Sequence, residues 1–169
     1  MATWATRTER TGDIAAIRDV NTAAFITDDE ANLVDALRAD PDAWIEGLST
    51  VAVDAAGVIV AHALLTRCTV GGEQALALAP CAVLPSFQRT GAGSAAISAG
   101  LDRARSLGEN LVVVLGHALY YPRFGFTPAS AFGITAGFDV TDDTFLAVAL
   151  DPQRATPTGR ITYAPAFEV

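Results

Sequence analysis

The chain has 169 residues and a formal net charge of −8; 51% of its residues are hydrophobic and 18% charged. That size and apolar content suit one compact core, and they exclude a disordered chain or a small scaffold that needs metals or disulfides. Its 11 Lys and Arg are scattered with no basic run, which speaks against nucleic acid and favours a cationic or neutral substrate.

Residues 4–8 read as a first strand. Thr11 or Asp13 is placed to cap a helix that carries Ile14, Ile17 and Val20 at helical spacing and ends near Phe25. Residues 30–39 repeat the pattern with Leu33, Val34 and Leu37, and Pro41 stops it. Residues 50–54 and 58–67 read as strands joined by a turn at Gly57. Gly71-Gly72 marks the next turn, and residues 75–84 form a third apolar strand ended by Pro85. A glycine loop follows, then a helix over residues 93–107 with the apolar stripe Ala96, Ile97, Gly100, Leu101 and Ala104, closed by Gly108. Residues 111–115 are a short, wholly apolar strand of the buried type. Residues 145–150 are the last clear strand, with 161–163 as a short edge. No linker of low complexity divides residues 1–169, so one domain is expected. The order strand, two helices, antiparallel meander, then strand–helix–strand predicts a mixed α/β sheet.

Cys68 and Cys81 make no CxxC and no disulfide framework; two buried thiols in a reducing compartment are expected. The segment MATWATRTER lacks the apolar core of a secretion signal, and no apolar run reaches about 18 residues. A cytoplasmic chain without a membrane partner is therefore expected. His62, Cys68, Cys81 and His117 lack ligand spacing, so no metal is expected. His62, inside an apolar strand, reads as a satisfied core residue.

The stretch QRTGAGS, residues 88–94, stands between an apolar strand and a helix. Orphan N–H groups and the positive end of the dipole make a helix start a natural phosphate site. Gly91 and Gly93 let an anion approach the backbone, although glycines also serve tight turns. The nucleoside-triphosphate loop GxxxxGK[ST] is ruled out, because no Lys follows. The dinucleotide pattern GxGxx[GA] is matched by Gly91, Gly93 and Ala96. It fails in context: five residues separate strand from loop, and the next strand ends in Leu115-Gly116-His117 with no carboxylate.

The remaining pattern is [QR]-x-x-G-x-[GA], seen here as Gln88-Arg89-Thr90-Gly91-Ala92-Gly93 after Ala82-Val83-Leu84-Pro85. An aromatic segment ending in Gly-Phe follows one helix and one strand later, as Tyr120-Tyr121-Pro122-Arg123-Phe124-Gly125-Phe126. Together these resemble the GCN5-related N-acetyltransferases over residues 3–150. The stretch GHALYYPRFGFTPAS and the closing ITYAPAF look like a bacterial subgroup of predicted acetyltransferases.

The resemblance implies a mostly antiparallel central sheet with flanking helices and a V-shaped cleft for acetyl-CoA. Ala82 and Val83 would pair with the pantetheine arm, one of their amides facing the thioester oxygen as charge develops. The amides of Arg89, Thr90, Gly91, Ala92, Gly93 and Ser94 would hold the pyrophosphate, with Gln88 shaping the loop. Relatives often carry Gly-Arg or Gly-Lys where this chain has Arg89-Thr90, so Arg89 would supply the cation from the neighbouring position. Tyr121, four residues before Gly125, takes the position of the proton donor to the leaving thiolate; Tyr120 is the competitor. Many relatives place a Glu on the strand before the loop. This chain has only Glu73 ahead of that strand and His117 after the following one, so no base is assigned. The implied reaction is acetyl transfer to a primary amine, on a small molecule or peptide, by direct attack in a ternary complex. The alternative is a non-catalytic acyl-CoA-binding or regulatory module of the same fold. The missing carboxylate favours the second and Tyr121 the first. The acceptor, a longer acyl donor and a homodimer stay open. Acceptor pockets of this fold fall at residues 25–30 and 133–143.

Overall fold

Nine strands and three α-helices occur among residues 4–168, which the computed structural model describes. In chain order they are β1 (Ala5–Thr8), α1 (Ile14–Ala24), α2 (Asp29–Ala39), β2 (Ser49–Val53), β3 (Ile59–Val70), β4 (Glu73–Val83), α3 (Ala92–Ser106), β5 (Leu111–Leu115), β6 (Thr127–Pro128), β7 (Ile134–Thr135), β8 (Phe145–Ala149) and β9 (Gly159–Thr162). The sheet runs β1-β2-β3-β4-β5-β8-β6. Its pairs are antiparallel except β4 with β5. β9 pairs with the far end of β3, and β7 lies parallel beside β9. The expected mixed, mostly antiparallel sheet is the one observed.

Local chemistry sets the boundaries. Gly71 and Gly72 have φ of 57° and 83°, which permits a two-residue turn between β3 and β4 with Val70 opposite Glu73. β3 accordingly runs three residues beyond the expected Arg67. Helix α3 buries Ala96, Ile97, Gly100, Leu101 and Ala104, the expected stripe, together with Ala92. Gly100 sits where a Cβ would come 3.2 Å from Thr50 Oγ1, and that hydroxyl donates to the Ala96 carbonyl at 2.8 Å. On α1 the expected stripe shifts: Ile17, Val20 and Asn21 are buried, while Ile14 is 38% exposed. Asp13 accepts from the Arg10 amide at 2.7 Å and pairs with Arg7, which holds its carboxyl below the usual range.

The sheet is covered on both faces. α3 packs on one face with Leu76, Leu78, Val112, Val114, Tyr121 and Phe126. The other face is covered in two patches. α1 and α2 lie over Val51, Leu64 and Ala82. Ala129, Ile134 and Ile161 lie over Ala77, Val113 and Ala147.

Inside the α1 patch runs a buried polar chain. His62 is 1% exposed and lies opposite Ala82 in the ladder. One proton assignment satisfies the links. Asn21 Nδ2 donates to His62 Nδ1 (3.2 Å), His62 Nε2–H donates to Ser49 Oγ (2.9 Å), and Ser49 donates to Glu9 (2.7 Å). Glu9 in turn pairs with Arg38 at 2.8 Å. Burial, reinforced by the Arg38 charge, drives the His62 pKa down to about 3. The folded protein therefore stays unprotonated here while the unfolded chain takes a proton below about pH 6.5. Stability is full above that pH and falls as pH drops toward 3, by at most about 1.4 kcal/mol per pH unit. Urea unfolding at pH 7, 6 and 5 should show this slope, and His62→Gln should flatten it.

Candidate active site

The site begins where β4 changes direction. Ala63 pairs with Cys81 and Leu65 with Leu78, so β4 carries one extra residue at Ala79-Pro80. Pro80 has no N–H to give to a ladder, which makes a strand interior a poor place for it unless the strand bulges. The bulge reverses the alternation. Before it, Leu76 and Leu78 face α3; after it, Cys81 and Val83 do, and Ala82 turns toward α1.

The bulge also marks where β4 and β5 part. Their parallel pairing covers Leu76–Leu78 against Val112–Val114 and goes no further. Leu84 N–H donates to Val60 O at 2.9 Å, so by ladder alternation Ala82 directs its backbone groups toward β3. Val83 and Cys81 direct theirs to the opened side. Of the expected pair of pantetheine-binding residues, Val83 thus has free backbone groups. Ala82 does not; Cys81 does.

The glycine loop sits at the top of this opening. Gly91 has φ 88° and precedes α3; Arg89 also has positive φ, at 62°. Among the described residues, none of the amides from Arg89 to Ser94 donates to a backbone carbonyl; the first helical bond is Ala95 N–H to Gly91 O. Six consecutive amides without a backbone acceptor at a helix start are the kind of donor set that an anion can use. Gly93 allows close contact with β4, since a Cβ there would stand 2.8 Å from Val83 Cγ2. Gln88 and Arg89 are exposed. The loop is latched from outside: Trp4 Nε1 donates to Thr90 O at 3.0 Å, and its ring meets Phe87 edge-on.

The aromatic segment closes the opening from below. Tyr121 is 9% exposed, and its ring lies so close to Gly116 that any Cβ there would overlap it. Gly125, at φ 95°, turns the chain so that Phe126 enters the core. The Tyr121 hydroxyl lies beside the Cys81 thiol. Burial first, then the adjacent Cys81, raise the Tyr121 pKa above its ordinary value. Burial pushes the Cys81 thiol up to about 12, so it is a neutral neighbour and not a nucleophile. Tyr120 is the less buried of the two tyrosines, and its hydroxyl meets Ser94 Oγ at 2.9 Å.

Two contributors escape a reading of the sequence. Arg123 lies over the Tyr120 ring at 4.3 Å and donates to Tyr120 O, which puts a second cation beside the loop. Cys81 faces the opening only because of the bulge, and the one signal for that is Pro80. The two loose candidates for a base part company. Glu73 opens β4 at its far end, five residues before the last β5-paired residue Leu78, or about 17 Å along a strand. His117 stays near, exposed just beyond β5. Among the described residues no group of His, Cys, Asp and Glu is arranged to hold a metal, and no helix is long and apolar enough to cross a membrane.

Parallel strands that part beside an amide-lined helix start, with a buried tyrosine at the parting, define an acyl-CoA-transferase type of cleft. The chain belongs to the Acetyltransferase (GNAT) family, whose profile matches residues 14–126. It is 39% identical over 160 residues to the uncharacterized N-acetyltransferase YjhQ of Escherichia coli K12, covering 90% of this chain and 87% of that one. The crystal structure of the GNAT family N-acetyltransferase YhbS from Escherichia coli in complex with CoA superposes with a TM-score of 0.90 at 27% identity, covering 100% and 94% of the two chains. A GNAT family acetyltransferase from Brucella melitensis in complex with acetyl-CoA gives 0.79 at 32% identity, covering 99% of each.

Proposed function

We propose that the protein is an acetyl-CoA-dependent N-acetyltransferase that moves the acetyl group to a primary amine by direct attack within a ternary complex. The observation that carries this reading is the run of six unpaired amides from Arg89 to Ser94 above the parted strands. Solved relatives with bound CoA and acetyl-CoA support the choice of donor.

When bound, acetyl-CoA supplies an activated acyl group on a thiolate leaving group. The amides of Arg89, Thr90, Gly91, Ala92, Gly93 and Ser94 hold the pyrophosphate at the positive end of α3, with Arg89 and Arg123 as flanking cations. Gln88 shapes the loop. Val83 and Cys81 present strand-edge groups to the pantetheine arm, and Ala82 walls the opposite face. A strand-edge N–H aimed at the thioester oxygen stabilises the charge that develops there. Tyr121 holds its proton through neutral pH and delivers it to the leaving sulfur. Water takes the proton of the attacking amine; no side chain is assigned as its base.

The test is a calorimetric titration with acetyl-CoA, beside NAD and ATP. Binding of acetyl-CoA in preference to both supports the reading. A folded protein that binds none of them leaves the glycine loop as a structural turn and ends it.

A further inference from the structure

The face of the sheet opposite Tyr121 carries a second feature. A cavity of about 340 Å³ is lined by Leu115, Phe138, Asp139, Val140, Thr141 and Thr144. Leu115 is the last residue of β5 and 51% exposed; Val140 is 36% exposed. Together with Phe138 these side chains give the cavity an apolar wall.

The position of this cavity ties it to the reaction. Along β5, Val112 and Val114 face α3, whereas Leu111 and Val113 face the other side. By the same alternation Leu115 faces away from α3. The next residue, Gly116, is the one pressed against the Tyr121 ring, and its amide donates to Thr144 O at 2.9 Å. Cavity and tyrosine therefore flank one strand end, on its two faces, just where β4 has moved away. A nucleophile seated in the cavity would reach the opened strand end from the face opposite Tyr121.

The lining states what that nucleophile is. Leu115, Phe138 and Val140 offer no partner for hydroxyl groups, and the Thr141 and Thr144 hydroxyls are engaged with Asp143, with each other and with Thr141 O, so a polyhydroxylated body would leave its polar groups unpaired. Asp139 has no ion pair within 4.0 Å among the described residues. Asp143 is already engaged by the Thr141 hydroxyl at 2.6 Å. The neighbouring cation, Arg160, lies against Gly137 and is exposed. Asp139 is thus a free carboxylate at the rim of an apolar cavity. The cavity is small and open to solvent, a size that fits a small molecule.

We infer that the acceptor is a small primary amine on an apolar body, an arylalkylamine or alkylamine, with its chain against Leu115, Phe138 and Val140 and its ammonium drawn to Asp139. This rests on the transferase reading. The step balances as ammonium plus thioester giving amide, free thiol and one proton: the ammonium gives a proton to water to become the neutral nucleophile, the N–C bond forms and the C–S bond breaks, a second nitrogen proton leaves to water, Tyr121 protonates the sulfur, and water restores the Tyr121 proton.

The test measures thiol release from acetyl-CoA with 2-phenylethylamine and hexylamine beside ethanolamine, lysine and spermidine. Expected is a kcat/KM at least about tenfold higher for the two apolar amines. Val140→Asn, at an exposed position, should raise KM for 2-phenylethylamine by about tenfold with little change in kcat or in acetyl-CoA binding. Asp139→Asn should raise KM for every amine. Equal or better turnover of ethanolamine or spermidine, or an unmoved KM in Val140→Asn, overturns the inference and leaves the transferase reading standing. If acetyl-CoA binds but no amine turns over, titration of 2-phenylethylamine into CoA-saturated protein decides, and no binding overturns the inference. Failure to bind acetyl-CoA removes both readings together.

Discussion

Tyr121→Phe is expected to lower kcat by a factor of about 10²–10⁴ while acetyl-CoA affinity stays nearly unchanged. The substitution keeps the ring, and the ring is what fills the space over Gly116 and meets Phe126 edge-on at 5.9 Å. Only the hydroxyl beside Cys81 is lost. A fall in kcat without a matching fall in binding therefore reports the proton and not the packing. Tyr120→Phe provides the contrast. It removes the 2.9 Å bond to Ser94 at the first turn of α3, so its effect should fall on the KM for acetyl-CoA. Steady-state kinetics of both variants, with calorimetry of each, separate the two tyrosines. If Tyr120→Phe collapses kcat and Tyr121→Phe does not, the donor is Tyr120.

Local patterns made most of the fold legible, and the reasons are physical. The stripe on α3, the Gly108 terminus and the Gly71-Gly72 turn depend on residues a few positions apart, so the sequence displays them directly. The strand over residues 75–84 was legible as a strand, but its faces were not. Alternation read straight through would have put Ala82 on the α3 side, and the bulge at Ala79-Pro80 puts Cys81 and Val83 there instead. Pro80 was the visible signal, since proline in a strand interior calls for a bulge. The short strands β6 and β7 carry two residues each, too few for any period to show. Arg123 and Trp4 join the site through contacts with Tyr120 and Thr90 that no spacing rule predicts. The motif QRTGAG pointed to the loop, but which backbone groups face the cleft follows from the pairing of β4 with β3, a long-range property.

Gly93→Ala should weaken acetyl-CoA binding by about tenfold or more and lower stability by about 1–3 kcal/mol. The added methyl would stand 2.8 Å from Val83 Cγ2, so the first turn of α3 must move off β4 and carry the amides of residues 92–94 with it. Helix propensity acts the other way, since Ala is better than Gly by up to about 1 kcal/mol inside a helix. The steric effect should win, because Val83 sits on a strand and cannot retreat. Val83→Ala removes the opposing methyl groups. The double variant should therefore recover much of the lost affinity, with a coupling of about 0.5–3 kcal/mol in a double-mutant cycle. Gly91 answers to a different demand. A Cβ there meets nothing within 4 Å, but φ of 88° is poorly accessible to alanine. Gly91→Ala should cost about 1–2 kcal/mol with no rescue from Val83→Ala, and Gly91→Asn should cost less, because Asn tolerates that torsion. Chemical denaturation of these variants, with Gly91→Ala combined with Val83→Ala as the second double variant, and acetyl-CoA titrations of each check both halves. Full affinity in Gly93→Ala would mean that the close approach of α3 to β4 is not what shapes the anion cradle.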